Sequence, residues 1–174
     1  MRKLPYTNCF MLLFGIFVVC TFISTGSAHA TWYVTHGHSG HVETEANLDS
    51  PVVYLGWGLD IQQTFGTTNW VHFAVPTDGT RGRGARYVKI KFKAFSQSMV
   101  TAVHIYNGGI KVAEFTGSWT GENTLTLDLG KVKSFTNGLG ISVQIQASPV
   151  QQQPDYGRII FYGAGANFVA ISTR

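Results

Sequence analysis

A chain of 174 residues that is 44% hydrophobic, 13% aromatic and only 13% charged carries ample apolar material for a buried core. Its formal net charge of +4 includes Arg2 and Lys3 of an N-terminal leader; the remaining eleven basic and nine acidic residues are too nearly balanced for an electrostatic commitment to nucleic acid. Both cysteines, Cys9 and Cys20, fall in the same leader, which excludes a disulfide-stapled exported domain.

The leader is read as a secretory signal peptide over residues 1–30. Arg2 and Lys3 supply the positive start, Phe10 to Ile23 an apolar run shorter than a spanning helix needs, and Ala28-His29-Ala30 the small-x-small cleavage pattern. Val18 and Val19 ahead of Cys20 do not fit a lipoprotein signal. Cleavage after Ala30 leaves residues 31–174 as a single domain. Cleavage after Ala28 satisfies the same rule and leaves His29 first, where amine and imidazole chelate copper together. A chain of this size buries about two thirds of its unfolded surface without staples. Missing thiols and missing N-x-S/T sequons point to a bacterial protein, secreted or periplasmic, with no transmembrane segment once the signal is removed.

The first expected strand is Thr31 to Thr35. It runs into "THGHSGHVE" (Thr35 to Glu43), which holds three of the six histidines of the chain. Two readings stand side by side. His36, His38 and His41, with His29 as a further ligand, make a candidate copper or zinc site; alternatively the segment is a solvated polar loop and the protein has no cofactor. A cupin site is excluded by Ala30 at the position of its leading glycine and by the missing second histidine strand. "GHSGH" is no nucleophile elbow, because His41 replaces the final glycine and no helix follows.

Weaker strands are expected at Val42 to Ala46, Val52 to Leu55 and Leu59 to Phe65, with Trp57 in the glycine-flanked "GWG" between the last two. "NWVHFAV" is a strand with His72 on its outward parity. The glycine loop "DGTRGRGAR" then presents Arg81, Arg83 and Arg86. It leads into "ARYVKIKFKAF", where Val88, Ile90 and Phe92 face one way and Lys89, Lys91 and Lys93 the other. That ladder suits phosphate-bearing polymers; a solubilising role on an exposed strand is the ordinary reading. "VHIYNGGIKV" is a hairpin turning at Asn107-Gly108-Gly109. "GSWTG" sets Trp119 among small residues. "TLTLDL", "GISVQIQA" and "GRIIFYGAGANFV" complete the strands, with "SPVQQQPDYG" as a loop.

Eight to ten strands with one-sided apolar faces predict an all-β antiparallel β-sandwich, jelly-roll-like, with a closed β-barrel as the alternative. The phrases "NWVHFAVPT", "VHIYNGG", "GLGISVQI" and "IIFYGAGANF" resemble a family of small, uncharacterised, mostly bacterial all-β proteins. The resemblance implies a compact β-sandwich and supplies no activity. Asn167 stands where that pattern has an acid, which weighs against a cation site there.

The nine acids are scattered and offer no convincing pair for general acid–base work. The reading is therefore an exported, non-catalytic sandwich that binds a glycan or a protein surface at or outside the cell, with no nucleic acid partner. Contacts are expected from Trp57, Trp119, Tyr106, Arg81 and Arg83, because tryptophans in loops stack and anchor. A copper- or zinc-binding protein using the histidine loop is the second expectation, and a self-assembling surface protein the third. The oligomeric state is open.

Overall fold

The computed structural model describes residues 29–150 and 157–171. The signal sequence up to Ala28 and most of the "PVQQQPD" loop lie outside them. The described residues form eleven strands. They are β1 (Thr31–His36), β2 (His41–Val42), β3 (Val53–Leu55), β4 (Gly58–Gln63), β5 (Thr68–Val75), β6 (Arg83–Ala94), β7 (Ser98–Asn107), β8 (Ile110–Trp119), β9 (Gly121–Lys133), β10 (Leu139–Ala147) and β11 (Gly157–Ala170).

These strands form two antiparallel sheets. One has the order β3-β4-β11-β6-β9, with β1 pairing β11 beyond the end of β4; the other has the order β2-β5-β10-β7-β8. The architecture is thus the expected sandwich and not a closed barrel. Only the β3–β4 and β7–β8 hairpins stay within a sheet; every other link carries the chain from one layer to the other.

Alternation determines the layers. On β6, Val88, Ile90 and Phe92 are fully buried while Lys89, Lys91 and Lys93 project from the opposite surface. Phe161 of β11 sits at the centre of the core, its ring 5.5 Å from Phe73 of the facing sheet and 6.1 Å from Phe92 beside it. Tyr33 of β1 closes one end edge-on against Phe168, 5.5 Å away. Burying aromatic rings of this size supplies much of the driving force for a domain with no covalent staple.

One expected strand is much shorter than its pattern. Val42 to Ala46 contributes only His41–Val42; Glu45–Asn47 is a 3-10 turn. The buried Asn69 explains the stop. Its side-chain carbonyl accepts from the Thr44 amide at 3.0 Å and its side-chain amide donates to the Thr44 carbonyl at 2.7 Å, so a side chain replaces the ladder.

The histidine segment is the crossover from β1 in one sheet to β2 in the other, and its glycines are needed for passage. A Cβ on Gly37 would stand 1.9 Å from the Phe161 carbonyl oxygen, and one on Gly40 would stand 2.7 Å from the Phe73 ring. Ser39 fixes the turn by donating to the His36 carbonyl at 2.7 Å.

Candidate functional site

The outer face of the six-stranded sheet is set by register. Moving across it, Trp32 of β1 aligns with Asn167 of β11 and Tyr87 of β6; the next outward row is Val34, Gly165, Lys89 and Thr126; the next is His36, Gly163, Lys91 and Thr124. The middle strand therefore offers two glycines where a side chain would otherwise stand. The result is a trough of about 170 Å³ lined by Val34, Lys89, Lys91, Thr124, Tyr162 and Gly163. The glycines also let β1 lie close, since a Cβ on Gly165 would meet the Tyr33 carbonyl oxygen at 2.6 Å.

Aromatic rings mark the length of this trough. Lys89 leans across β11 so that its amine stands 4.4 Å from the centre of the Trp32 ring, and the Lys91 amine stands 5.4 Å from that of Tyr162. The Trp57 ring, in the β3–β4 turn, lies 6.0 Å from Tyr162 at 37°. Trp32 is 39% exposed and Trp57 49%. At about 3.3 Å per residue the strip from the Trp32 row to Tyr162 spans roughly 15 Å. Burial, followed by the charge of Glu122, holds the Tyr162 phenol above its ordinary range, so it stays a neutral hydrogen-bonding group.

Of the five contact residues expected from sequence, only Trp57 lies on this face. Trp119 ends β8, half-buried and packed against the core; a Cβ on Gly117 would strike its indole at 2.6 Å, so the glycine makes room for an inward ring. Tyr106 is on the other sheet, its ring 6.3 Å from that of His104. Arg81 is exposed in the loop before β6. Arg83 is engaged by the fold. Its Nη2 donates to the carbonyls of Phe168 at 2.6 Å and His29 at 2.7 Å, and its Nε lies 3.1 Å from Asp78 Oδ2, an ion pair by distance without hydrogen-bond alignment. Thr80 hydrogen bonds, then Arg83, hold the Asp78 carboxyl below its ordinary range.

The three histidines of the proposed metal set are not brought together. The His36 and His38 rings stand 4.5 Å apart, and the His36 Nδ1 accepts from the His38 amide at 3.3 Å. His41 lies past the crossover on the other sheet, and sheets pack about 10 Å apart. Among the described residues no three His, Cys, Asp or Glu side chains are grouped to hold a metal ion.

The crossover instead delivers His41 to a row that no local motif announces. His41, His72, Ser142, His104 and Glu114 align across the five-stranded sheet. His72 Nδ1 is 2.8 Å from Ser142 Oγ and its Nε2 is 2.9 Å from Glu43 Oε2, while the rings of Trp70 and His104 meet at 4.5 Å above β10. These are the residue types of an acyl-transfer triad. However, β10 is paired on both edges, by β5 and β7, so its amides are spent in ladders rather than aimed at an oxyanion, and Ser142 is 7% exposed. The row forms a hydrogen-bonded polar network on the outer surface of the five-stranded sheet.

Fold and surface together define a two-sheet antiparallel sandwich with an aromatic, lysine-bordered face. No family model matches the chain, and no curated protein is significantly similar to it. Among solved structures it is similar to a low-affinity xylan-binding module, CBM86, from the gut symbiont Roseburia intestinalis, with 14% identity, a TM-score of 0.48, and coverage of 78% of this chain and 94% of that one. It is also similar to the CBM36-1 domain of a multidomain xylanase from the hindgut metagenome of Trinervitermes trinervoides, with 10% identity, a TM-score of 0.43, and coverage of 79% and 96%. A carbohydrate-binding module CBM36 in complex with calcium and xylotriose gives 10% identity, a TM-score of 0.41, and coverage of 77% and 98%. With TM-scores below 0.5, these likenesses assign no binding surface to this chain.

Proposed function

We propose that this protein is a non-catalytic glycan-binding sandwich whose ligand lies along the outer face of the six-stranded sheet. The observation that carries the proposal is where the exposed apolar side chains fall. Seven large hydrophobic residues are exposed among the described residues, and four of them, Trp32 and Val34 of β1, Val53 of β3 and Trp57 of the β3–β4 turn, lie on this side of the sheet, whereas Tyr54 pairs with the core residue Leu59 and has the inward parity. Clustering of this kind marks an interaction surface.

The chemistry of the surface favours a glycan over a protein. The core of a protein interface is depleted of lysine and closes over contiguous apolar area. Here the rings are separated by a glycine-floored trough and interleaved with lysine amines and the hydroxyl-bearing Thr124 and Thr126. A pyranose chain has the complementary make-up, with C–H faces for the rings and hydroxyls for the polar groups. The leader read from the sequence would put such a ligand outside the cytoplasm. The test is a glycan array followed by calorimetry on the hit. Trp32→Ala and Trp57→Ala should each weaken binding while circular dichroism stays that of the parent; unaltered affinity in both would remove the proposal.

A further inference from the structure

The lysine ladder on this face needs its own explanation. Lysines on an edge strand discourage unwanted pairing, but β6 is an interior strand, held between β11 and β9. Three ammonium groups in succession on one face of a strand repel one another unless something offsets them. The arginines of the chain that approach this sheet are neutralised: Arg86 by Asp128 at 2.7 Å, Arg83 by Asp78 at 3.1 Å, and Arg158 by Asp60 at 2.6 Å. No carboxylate of the described residues stands within ion-pair distance of Lys89, Lys91 or Lys93. Lys89 and Lys91 face Thr126 and Thr124 on one side and Gly165 and Gly163 on the other; only Lys93 has an acid, Glu122, opposite it. Ring contacts draw the half-buried Lys89 amine to Trp32 and the exposed Lys91 amine toward Tyr162, both at the wall of the trough.

We infer that the glycan taken by this face is anionic, with carboxylate or sulfate groups repeating along the chain, and that Lys89 and Lys91 bind those groups while Trp32, Tyr162 and Trp57 take the sugar rings. The inference rests on the glycan-binding reading above and adds the substrate class. The backbones of two lysines two residues apart on a strand are separated by roughly 7 Å, and their amines diverge toward Trp32 and Tyr162, which suits anions repeating along a sugar chain. An ammonium is a compact point charge and accepts either anion.

The test titrates the whole protein with oligogalacturonate, the same oligomer fully methyl-esterified, a sulfated oligosaccharide and a neutral xylo-oligosaccharide, at low and at physiological salt. The account expects the ester to bind at least about tenfold more weakly than the free uronate. It also expects affinity for the uronate to fall with salt, and Lys89→Gln/Lys91→Gln to erase the difference between acid and ester. Stronger binding of the sulfated oligomer would assign the anion as sulfate and keep the inference. Equal, salt-indifferent binding of acid, ester and neutral oligomer would overturn it while leaving glycan binding intact. No binding of any sugar would remove both. Uronate binding that Trp32→Ala and Trp57→Ala leave untouched, or equal competition by single-stranded DNA, would reduce the face to a generic anion exchanger and overturn the inference.

Discussion

Trp57→Ala separates binding from folding because the indole is divided almost evenly between protein and solvent. A tryptophan exposes roughly 250 Å² at most, so 49% exposure leaves about half of that open to a ligand and half covered. The covered half, at about 25 cal/mol per Å², sets an upper bound near 3 kcal/mol on lost stability, and the compact unfolded state lowers it further. A sugar covering one side of the open half buries about 60 Å², which is about 1.5 kcal/mol, or roughly a tenfold rise in Kd. Trp57→Phe keeps a ring next to Tyr162 and should recover most of that loss. The assay is isothermal titration calorimetry on both variants, with thermal melts on the same samples. A Kd within twofold of the parent for a properly folded Trp57→Ala would refute the reasoning, and so would a Trp57→Phe no better than the alanine.

Four further outcomes are expected. Gly165→Ala puts a Cβ 2.6 Å from the Tyr33 carbonyl; it should push β1 off β11, lower the melting temperature and weaken glycan binding together, as read by melts and calorimetry. Phe161→Ala empties the centre of the core and should cost about 3–5 kcal/mol in urea unfolding, with no special effect on binding beyond the loss of fold. Asp78 has a depressed carboxyl, so its contribution is present above the ordinary carboxylate range and lost as pH falls through the lowered value. The parent should therefore lose stability below about pH 4 more steeply than Asp78→Asn in pH-dependent melts. His36→Ala/His38→Ala should leave any zinc or copper content of the purified protein unchanged by elemental analysis, because among the described residues those rings contact each other without a third metal-ligating side chain grouped with them.

Layering was legible from the period of two alone. The alternation on "ARYVKIKFKAF" and "GISVQIQA" places Val88, Ile90, Phe92, Ile141, Val143 and Ile145 in the core, where all six are fully buried. The face proposed for the glycan was not legible, because it is assembled by register. Trp32 and Lys89 meet across β11, and nothing local in either segment announces the other. Tyr162 is harder still. The register shift between Phe161 and Gly163 breaks the parity of β11 at that residue and turns it onto the trough. Glycines misled in one place and informed in another. Those around Trp119 resemble turn punctuation, yet Gly117 is there to let the indole lie inward. Gly37 and Gly40 in the histidine segment serve a crossover, which is why His36 and His41 finish on opposite layers. Arg83 illustrates the general limit: an arginine in a glycine loop is the same string whether it waits for a ligand or, as here, ties the carbonyls of Phe168 and His29 to Asp78.

The most direct test is a two-dimensional amide and indole NMR titration of the isotope-labelled protein with the best-binding oligosaccharide. If the outer face of the six-stranded sheet is the glycan site, the Trp32 and Trp57 indole signals and the amides of Val34, Gly163, Gly165 and Lys91 shift together along one saturation curve. Shifts confined to Trp70, His72, Ser142 and His104 would place the ligand on the opposite sheet and contradict the account.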